Sequence, residues 1–459
     1  MNPKRFETHS LRNHPRGASV QRILAAALEA VDPTQAIHQH MQREGNHLEI
    51  GDQTFDLRQF ARLLVIGFGK ASLPMTKSTA EVLGEALTAG VVITKGQVPS
   101  DKLQDAGGMS LLEVLAGAHP VPDESSVAGA QKIANLLSTT TEKDLVIGLI
   151  SGGGSALLTL PVEGISLDDI QALTQTLLGC GATINEINCL RKHLSQVKGG
   201  QLAQMAAPAQ MVNLILSDVV GDPLDVIASG PTVPDPTTFP DALEILARYG
   251  ISDEIPAAIL AHLQRGANGD IPETPKPGDP IFRGVKNTII GNNYRAAQAA
   301  LQRADAENFN SILLTTSLQG EAREAGKMLA AILRQVVLTG EPIPRPACII
   351  AGGETTVTIH GKGLGGRNQE LALAAVAELA GLSDVMLIAL ATDGDDGPTD
   401  AAGAVVTGET LGRATFSGLE PSKFLAANDA YHFFDPLGDL IKSGLTGTNV
   451  NDLTFLLAF

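Results

Sequence analysis

The sequence predicts an α/β protein with a mostly parallel sheet and a second α/β domain. Short apolar runs rich in branched residues, which are typical of buried parallel strands, alternate with helical stretches. This alternation favours right-handed βαβ units. The chain has 459 residues, more than one ordinary hydrophobic core holds, and a proline-rich stretch divides it. We therefore expect two domains.

The first part of the chain contains five predicted strands with helices between them. The strands are expected at 62–68, 90–94, 111–116, 145–150 and 211–216. The helices are expected at 18–42, with an interruption at Asp32-Pro33, and at 72–87, 126–138 and 165–180. This order is the one expected for a parallel sheet.

The richest run of structure-breaking residues begins at Gly266 and includes four prolines up to Pro280. We place a linker at 266–283, between a domain of residues 1–265 and a domain of residues 284–459. Further strands are expected at 286–290, 311–315, 347–351 and 385–391. The stretch 355–360 alternates apolar and polar residues, which predicts an additional antiparallel strand.

Composition excludes several classes of function. The formal net charge of −17, the absence of tryptophan and the few aromatic residues argue against nucleic acid as a partner. The three cysteines show no CxxC spacing, so we expect neither a disulfide framework nor a zinc site. No apolar run approaches the ~20 residues that span a bilayer, and no signal peptide is evident. We expect a cytoplasmic protein with no membrane contact.

A glycine triplet follows the strand predicted at 145–150. The sequence Ser151-Gly152-Gly153-Gly154-Ser155 leads into an apolar stretch that we expect to begin a helix. Free backbone N–H groups and a positive helix end at such a turn favour an anion, above all a phosphate. Glycine accepts positive φ and lets a ligand approach the main chain. The alternative is a tight connection that binds nothing.

Lys70 follows the strand predicted at 62–68, where open α/β sheets bind ligands, and we expect it to bind an anion. The preceding glycines resemble a dinucleotide fingerprint, but Leu73 replaces its third glycine. Lys95 stands where the ribose-binding acidic residue is expected, which weakens an NAD hypothesis. Lys70 as an ordinary surface residue is the alternative.

Three acidic residues follow predicted strands. Asp218 and Asp222 form an Asp-x-x-Gly-Asp pattern that could hold a hard cation through oxygen, or could simply stabilise a turn. Asp393 begins an Asp-Gly-Asp-Asp stretch after the strand predicted at 385–391, which suggests metal or hydroxyl coordination. The sequence leaves these alternatives open.

Basic and amide side chains also gather in loops. Asn188, Arg191 and Lys198 belong to a cluster that could contact a phosphate or carboxylate, although a solvated helix face is the alternative. Arg367 and Asn368 stand where a glycine-rich loop opens a helix, and Asn449 lies in a polar loop before the last strand. Together these loops predict a cleft that binds a polyanion and a small polar substrate, between the domains.

These motifs, in order along nearly the whole chain, resemble the class II glycerate 2-kinases with a C-terminal MOFRL domain. Some members of that family carry the label hydroxypyruvate reductase. The resemblance implies a Rossmann-like N-terminal domain, a smaller C-terminal α/β domain and an active site in the interdomain cleft. The motifs that carry it are 67–71, 119–123, 151–155, 191–195, 198–200, 217–222, 352–355, 365–370, 393–394 and 447–452.

The resemblance also implies an activity: transfer of the ATP γ-phosphoryl group to the 2-hydroxyl of D-glycerate, with Mg²⁺, giving 2-phosphoglycerate and ADP. The family's active-site lysine and arginine fall on Lys70 and Arg367. With them we assign Asp218 to catalysis and Asp222 and Asp393 to the metal. Substrate and ATP binding are assigned to Ser151, Gly152, Gly153, Gly154, Ser155, Asn188, Arg191, Lys198, Asn368 and Asn449.

Two other functions stay open at this point. An NAD(P)H-dependent hydroxypyruvate reductase would need a nicotinamide site, and a non-catalytic anion-binding protein would need only the loops. The expected assembly is a monomer or a homodimer.

Overall fold

The computed structural model describes residues 1–96 and 109–459, which fold as two units. One unit holds residues 36–290, and the other holds residues 1–35 together with 291–459. These units differ from the division expected from the sequence. The first 35 residues join the C-terminal sheet, and the stretch 266–283 lies inside the unit of 36–290. Among the described residues, none of the helices has both the length and the apolar character needed to span a bilayer.

Strands and helices alternate through the chain, which confirms the predicted α/β class. The strands are β1 Met41–Glu44, β2 His47–Ile50, β3 Gln53–Asp56, β4 Arg62–Phe68, β5 Ala89–Lys95, β6 Leu112–Gly117, β7 Asp144–Ser151, β8 Gln210–Leu216, β9 Val285–Gly291, β10 Asn310–Leu318, β11 Ala347–Gly353, β12 Val385–Ala391, β13 Gly403–Thr407, β14 Leu440–Ile441 and β15 Asp452–Ala458. The helices are α1 His9–Asn13, α2 Gly17–Glu29, α3 Pro33–His40, α4 Ser72–Leu83, α5 Glu124–Leu137, α6 Gly154–Leu157, α7 Leu167–Gly179, α8 Ile184–His193, α9 Gln201–Ala206, α10 Phe239–Tyr249, α11 Ala257–Ala267, α12 Asn293–Ala306, α13 Ala322–Thr339, α14 Arg367–Leu379, α15 Thr410–Phe416, α16 Pro421–Ala427 and α17 Ala430–Phe434.

The unit of residues 36–290 is built on a six-stranded sheet with the order β6-β5-β4-β7-β8-β9. The pairs β4–β5, β5–β6, β4–β7 and β7–β8 are parallel. The chain builds outward from β4 on one side and returns to build outward from β7 on the other. The order therefore reverses between β4 and β7. Ligands of open α/β sheets bind at this switch point, beyond the carboxyl ends of the strands.

The central strands are hydrophobic because helices cover the sheet. Every residue of β7 is buried, and only the first residue of β4 is partly accessible. Leu64 and Ile66 of β4 share a core cluster with Ile133 and Leu137 of α5. Strands buried in this way read as continuous apolar runs in the sequence, which is why β4 and β7 could be predicted to within about a residue.

The second sheet has the order β10-β11-β15-β12-β13-β14. Its β10–β11 pair is parallel, but β15 runs antiparallel to both β11 and β12. As a result Asp452, the first residue of β15, lies opposite Gly353 at the end of β11 and Ala391 at the end of β12. The loops after β11 and β12 therefore meet the loop before β15 at one edge of the sheet.

Two expected elements differ in the structure. The predicted strand at 355–360 is wrong: Thr356 makes only an isolated bridge with Glu321, and Ile359 is 77% exposed, so the alternation buries no face. The helix expected at 18–42 is interrupted between α2 and α3, as expected at Asp32-Pro33, but it ends before Met41, which begins β1. Gly45 then turns the chain with a φ of 61° into β2, which pairs antiparallel with β1.

Candidate functional site

The loops after β4 and β7 are joined at the switch point of the first sheet. The Lys70 N–H donates to the Gly152 carbonyl at 2.8 Å, and the Ala71 N–H donates to Ser151 Oγ at 3.0 Å. A Cβ at Gly69 would lie 2.2 Å from Ser151 Oγ, so this close approach requires glycine. The glycine loop, residues 151–155, and Lys70 are therefore one local structure.

The helix expected after the glycine triplet is only the single turn α6. The longer helix at the switch point is α4, which begins two residues after Lys70. An anion at this turn would therefore be bound by main-chain groups of the glycine loop. It would not lie at the end of a long helix dipole. The N–H groups of Gly153 and Gly154 form no hydrogen bond with any residue that the structure describes.

The side chains of Lys70 and His119 both lie next to Gly153. Gly153 has a φ of 78°, and a Cβ there would lie 2.8 Å from His119 Cδ2 and 3.3 Å from Lys70 Cγ. Neither side chain forms a hydrogen bond or ion pair with residues 1–96 or 109–459. Burial, followed by the nearby charges of Lys70 and Lys95, lowers the pKa of His119 to about 4. At neutral pH its imidazole is therefore uncharged.

Asp218 lies directly against the glycine loop. A Cβ on Gly152 would be 2.1 Å from Asp218 Oδ2, so the carboxylate occupies the space beside that glycine. Asp222 lies in the following turn with a φ of 56°, and its N–H donates to the Val219 carbonyl at 3.1 Å. In the described part of the chain, no group of three or more His, Cys, Asp or Glu side chains is placed to hold a metal ion.

The other side of the glycine loop is fixed by buried polar groups. Ser155 Oγ lies 2.9 Å from Ser229 Oγ, which donates to Asn188 Oδ1 at 3.0 Å. Lys198 Nζ donates to the carbonyls of Ser155 and Leu158, both at 2.7 Å. Burial, followed by the charge of Arg191, lowers the pKa of Lys198 to about 7. Lys198 and Asn188 were expected to bind ligand. In the structure Lys198 bonds the glycine loop itself, and Asn188 bonds Ser229, which contacts that loop.

Ser229 belongs to a turn that sequence reasoning did not assign to the site. Ala228, Ser229 and Gly230 have φ values of 51°, 62° and 62°, a left-handed conformation that is rare for alanine and serine. A Cβ on Gly154 would lie 2.9 Å from Ala228 Cβ, so the turn packs against the glycine loop. Such strain is found where a fold must place a particular group. Nothing in the Ala-Ser-Gly sequence alone distinguishes it from an ordinary turn.

Arg191 is a further cation of this unit, and it differs from the exposed ones because it is largely buried. Its side chain is largely buried, which lowers its pKa below the usual value, and it is close enough to Lys198 to lower the pKa of that lysine. It forms no hydrogen bond or ion pair within the part of the chain that the structure describes. An arginine that is desolvated without a protein partner is suited to an anionic ligand.

Arg367 begins α14 in the other unit and is held by two carboxylates. Its Nε and second terminal nitrogen contact Asp452 at 2.5 and 3.1 Å, and its first terminal nitrogen contacts Glu354 at 2.6 Å. Although burial acts to lower it, the pKa of Arg367 is raised by these acidic partners. Burial raises the pKa of Asp452 to about 7, with Arg367 acting in the opposite direction.

The hydrogen-bond donors of Asn368 are bonded to a third acidic residue, Asp396. The buried Asp396 carboxylate accepts the Asn368 N–H at 3.0 Å, its side-chain amide at 3.2 Å and the Gln369 N–H at 2.8 Å. It therefore satisfies free donors at the start of α14. Asp396 and Asp452 were not predicted as site residues, although Asp396 ends the Asp-Gly-Asp-Asp stretch and Asp452 ends the motif 447–452.

The remaining predicted residues of this unit lie at the same edge of the second sheet. Asp393 Oδ1 accepts the Asp395 N–H at 3.2 Å, and Asn449 Oδ1 accepts the Asn451 N–H at 3.1 Å. The two loops are joined because the Thr392 N–H donates to the Asn451 carbonyl at 3.1 Å. The structure thus groups Arg367, Asn368, Asp393 and Asn449 within one unit, and Lys70, Asp218 and the glycine loop within the other.

Two family models match the chain. Residues 19–264 match a domain of unknown function (DUF4147), and residues 347–452 match the MOFRL family. Together they include every residue assigned to the site from the sequence.

Relatives match the chain over nearly its full length. A D-glycerate 2-kinase of Thermotoga maritima is 42% identical over 433 residues, which is 94% of this chain and 95% of the relative. A putative hydroxypyruvate reductase of Agrobacterium vitis is 40% identical over 95% of this chain and 93% of its own. The crystal structure of a glycerate kinase from Thermotoga maritima superposes with a TM-score of 0.83 at 41% identity, covering 95% of this chain and 98% of that one.

Proposed function

Because this chain belongs to the glycerate kinase family that carries a MOFRL domain, we propose that it is an ATP-dependent D-glycerate 2-kinase. In this reaction the 2-hydroxyl oxygen of D-glycerate bonds to the γ-phosphorus as the bond from that phosphorus to the β–γ bridging oxygen breaks. The electron pair leaves with ADP, and the hydroxyl proton is released. The observation that carries the proposal is the near-full-length identity to a D-glycerate 2-kinase.

The glycine loop is the proposed site of the ATP phosphates. The unused N–H groups of Gly153 and Gly154 can donate to phosphate oxygens, and the missing side chains allow close approach. Lys70, beside Gly153, would neutralise charge on the transferred group. Phosphoryl transfer depends mainly on this kind of positioning and charge neutralisation.

We propose that Asp218 and Asp222 hold a magnesium ion that is bound together with the nucleotide. The Asp218 carboxylate already lies against Gly152, where it could share a cation with phosphates on the glycine loop. Mg²⁺ commonly takes one or two protein carboxylates and completes its shell with phosphate oxygens and water. The ion would supply charge neutralisation on the phosphates. Asp393 is a further proposed ligand, and Asp218 is also proposed to orient the hydroxyl group of glycerate.

The two arginines are proposed to serve different groups. Arg191, which is unpaired and desolvated, suits the carboxylate of glycerate. Arg367 uses three of its N–H groups on Asp452 and Glu354. A guanidinium has five N–H donors, so about two remain for a phosphoryl oxygen. Asp452 and Glu354 would hold the guanidinium plane in a fixed orientation.

The proposal is tested by phosphorus NMR of a mixture of D-glycerate, Mg²⁺, ATP and the purified protein. The expected result is a phosphomonoester signal that matches authentic 2-phosphoglycerate and grows as the γ-phosphate signal of ATP declines. A product that matches 3-phosphoglycerate would contradict the assigned hydroxyl. Absence of turnover under all conditions would favour a non-catalytic anion-binding protein.

A second candidate is an NAD(P)H-dependent hydroxypyruvate reductase. The strand order of the first sheet, which reverses between β4 and β7, is also that of dinucleotide-binding folds. However, β5 ends at Lys95 where such folds place the acidic residue that binds ribose, and Leu73 replaces the third glycine. Loss of NADH absorbance with hydroxypyruvate, at a rate comparable to glycerate phosphorylation, would favour this alternative.

A further inference from the structure

His119 lies in the loop between β6 and α5, with its imidazole directed at the glycine loop. A Cβ on Gly153 would lie 2.8 Å from His119 Cδ2 and 3.2 Å from Nε2, so the Nε2 edge of the ring faces the same space as Gly153. Lys70 adjoins the same space, since its Cγ would lie 3.3 Å from that Cβ. The position is set by the switch-point loops and by the short segment between β6 and the Asp123 cap of α5.

The ring nitrogens of His119 have no partner among the residues that the structure describes. The side chain is only partly accessible, yet it forms no hydrogen bond with the residues described, 1–96 and 109–459. Two other histidines of this unit are bonded: His193 contacts the Cys189 carbonyl and Glu273, and His262 contacts the His193 carbonyl. Partly buried polar groups that lack a partner carry a desolvation cost unless a ligand or water satisfies them.

We propose that His119 is a nucleotide-binding residue whose imidazole donates a hydrogen bond from Nε2 to a phosphate oxygen at the glycine loop. This inference rests on the proposed function, because it assumes that the loop holds the phosphates of ATP. It assigns the directional hydrogen bond to His119 and the charge to Lys70.

The surroundings of His119 favour a neutral donor over a general base. Lys70 and Lys95 disfavour a positive charge on the ring, and burial acts in the same direction, so the pKa is lowered to about 4. The acidic group at this loop is Asp218, which lies beside Gly152, the residue before Gly153. A base with so low a pKa removes a proton poorly at neutral pH, and phosphoryl transfer needs little help of that kind.

The test compares His119→Gln with His119→Phe in the full-length protein. Glutamine keeps a neutral N–H donor near the Nε2 position and does not titrate, whereas phenylalanine keeps a ring and removes the donor. We expect H119F to raise the KM for ATP and lower kcat/KM about 10–100-fold, the range for a hydrogen bond to a charged group. We expect H119Q to stay within a few-fold of wild type, with the same pH profile. The exposed His47→Phe is the control.

Three results would overturn the inference. The first is an H119F variant with wild-type KM for ATP. The second is an H119Q variant as impaired as H119F. The third is a pH profile in which H119Q lacks an ionisation that wild type shows, because that outcome would make His119 a base. Calorimetric titration of Mg-ATP in the absence of glycerate gives an independent readout. If wild type fails to phosphorylate glycerate, the proposed function falls, and this titration still tests the contact.

Discussion

Burial of a lysine side chain costs free energy unless its N–H groups form hydrogen bonds. Lys198 donates these hydrogen bonds to main-chain carbonyls. Its two carbonyl acceptors, Ser155 and Leu158, belong to the glycine loop and the turn that follows it. A neutral amine carries two N–H groups, which is the number this arrangement needs. The side chain therefore holds the loop whether or not it is charged, and only the charged form pays the cost of burial.

The free energy of unfolding is predicted to depend on pH because Lys198 has a lower pKa in the folded protein than in the unfolded chain. The pKa of Lys198 is about 7 when folded against an ordinary value of 10.5, so between these values the unfolded chain binds one more proton. The free energy of unfolding contributed by this group therefore rises from pH about 7 towards 10 and is constant below that range. Lys198→Met should remove this rise and should also leave two carbonyls unsatisfied, at about 1–3 kcal/mol each.

Urea unfolding of wild type and K198M at several pH values checks this prediction. The stability difference between them should widen as the pH increases above about 7. The exposed Lys143→Met is the matched control and should run parallel to wild type. Parallel curves for wild type and K198M would show that Lys198 keeps an ordinary pKa.

Arg191 is predicted to affect glycerate binding more than nucleotide binding. Because the guanidinium is desolvated and lacks a partner among the described residues, Arg191→Ala should raise the KM for D-glycerate about 10–100-fold, the loss expected for a charged hydrogen bond. Steady-state kinetics with each substrate varied separately measures the effect. Arg265→Ala, which alters an exposed arginine of the same unit, is the control. An R191A variant that raises only the KM for ATP would place the phosphates, and not the carboxylate, at Arg191.

At the scale of secondary structure, buried strands such as β4, β7, β11 and β12 were predicted well because their apolar runs are continuous. All nine strands from β4 to β12 were expected close to their observed bounds. The hairpin strands β1–β3 were missed because they are only four residues long and half exposed. The β15 pairing could not be predicted, because a strand inserted antiparallel between β11 and β12 depends on contacts distant in the sequence.

Site residues could be predicted where their positions depend on the adjacent strand, and not where they depend on contacts distant in the sequence. Lys70, Asp218 and the glycine triplet each follow a strand directly, so their meeting follows from the parallel order of β4, β7 and β8. Ser229 was missed because its place depends on a left-handed backbone that the sequence does not reveal. Asp452 was missed as the partner of Arg367 because the two are 85 residues apart.

The glycine loop is predicted to tolerate no side chain at its second position. Gly152→Ala would place a methyl group 2.1 Å from Asp218 Oδ2, so the carboxylate must move. Since a carboxylate can rotate, we expect the fold to survive and kcat/KM to fall about 10²–10³-fold, as for loss of one electrostatic contact in an active site. Kinetics combined with circular dichroism separates activity from folding.

Gly179→Ala is the matched control for this variant. Gly179 ends α7, and a Cβ there meets nothing within 4 Å, so activity should be unchanged. If G152A retained wild-type activity, the position of Asp218 beside the loop would have no part in the reaction.

At the scale of the whole molecule, groups from both units are predicted to act in the same reaction. Lys70→Ala in one unit and Arg367→Ala in the other should each lower kcat about 10²–10³-fold while the protein stays folded. Lys143→Ala and Arg334→Ala are exposed counterparts and should retain activity. Activity within a few-fold of wild type would remove either residue from the mechanism.

The R367A variant must be compared with a double variant, because loss of the Arg367 guanidinium leaves the buried Asp452 without its ion pair. An uncompensated buried charge can destabilise a protein by about 3–5 kcal/mol. Combining R367A with Asp452→Asn removes that charge. If the double variant recovers thermal stability but not activity, the loss belongs to the missing guanidinium.

The first 35 residues are predicted to be required for folding of the C-terminal sheet. Phe6, Val20 and Leu24 are fully buried, and Ser10 bonds the buried Asp439 through its N–H at 2.8 Å and its hydroxyl at 2.9 Å. A fragment of residues 291–459 should therefore show no cooperative thermal transition. Adding a peptide of residues 1–35 in excess should restore one, and a peptide with Leu24→Asp should not. A cooperative transition in the fragment alone would contradict this expectation.

The division of one unit between both ends of the chain has a consequence for biosynthesis. The N-terminal helices leave the ribosome before any strand of the sheet they pack against has been translated. The 255 intervening residues, 36–290, take roughly 10–50 s to translate at ordinary elongation rates. During that interval the apolar face of α2 must stay in solution or on a chaperone, while the intervening polypeptide can already reach its native state. Residues 36–290 can thus fold during synthesis before residues 1–35 have their packing partners.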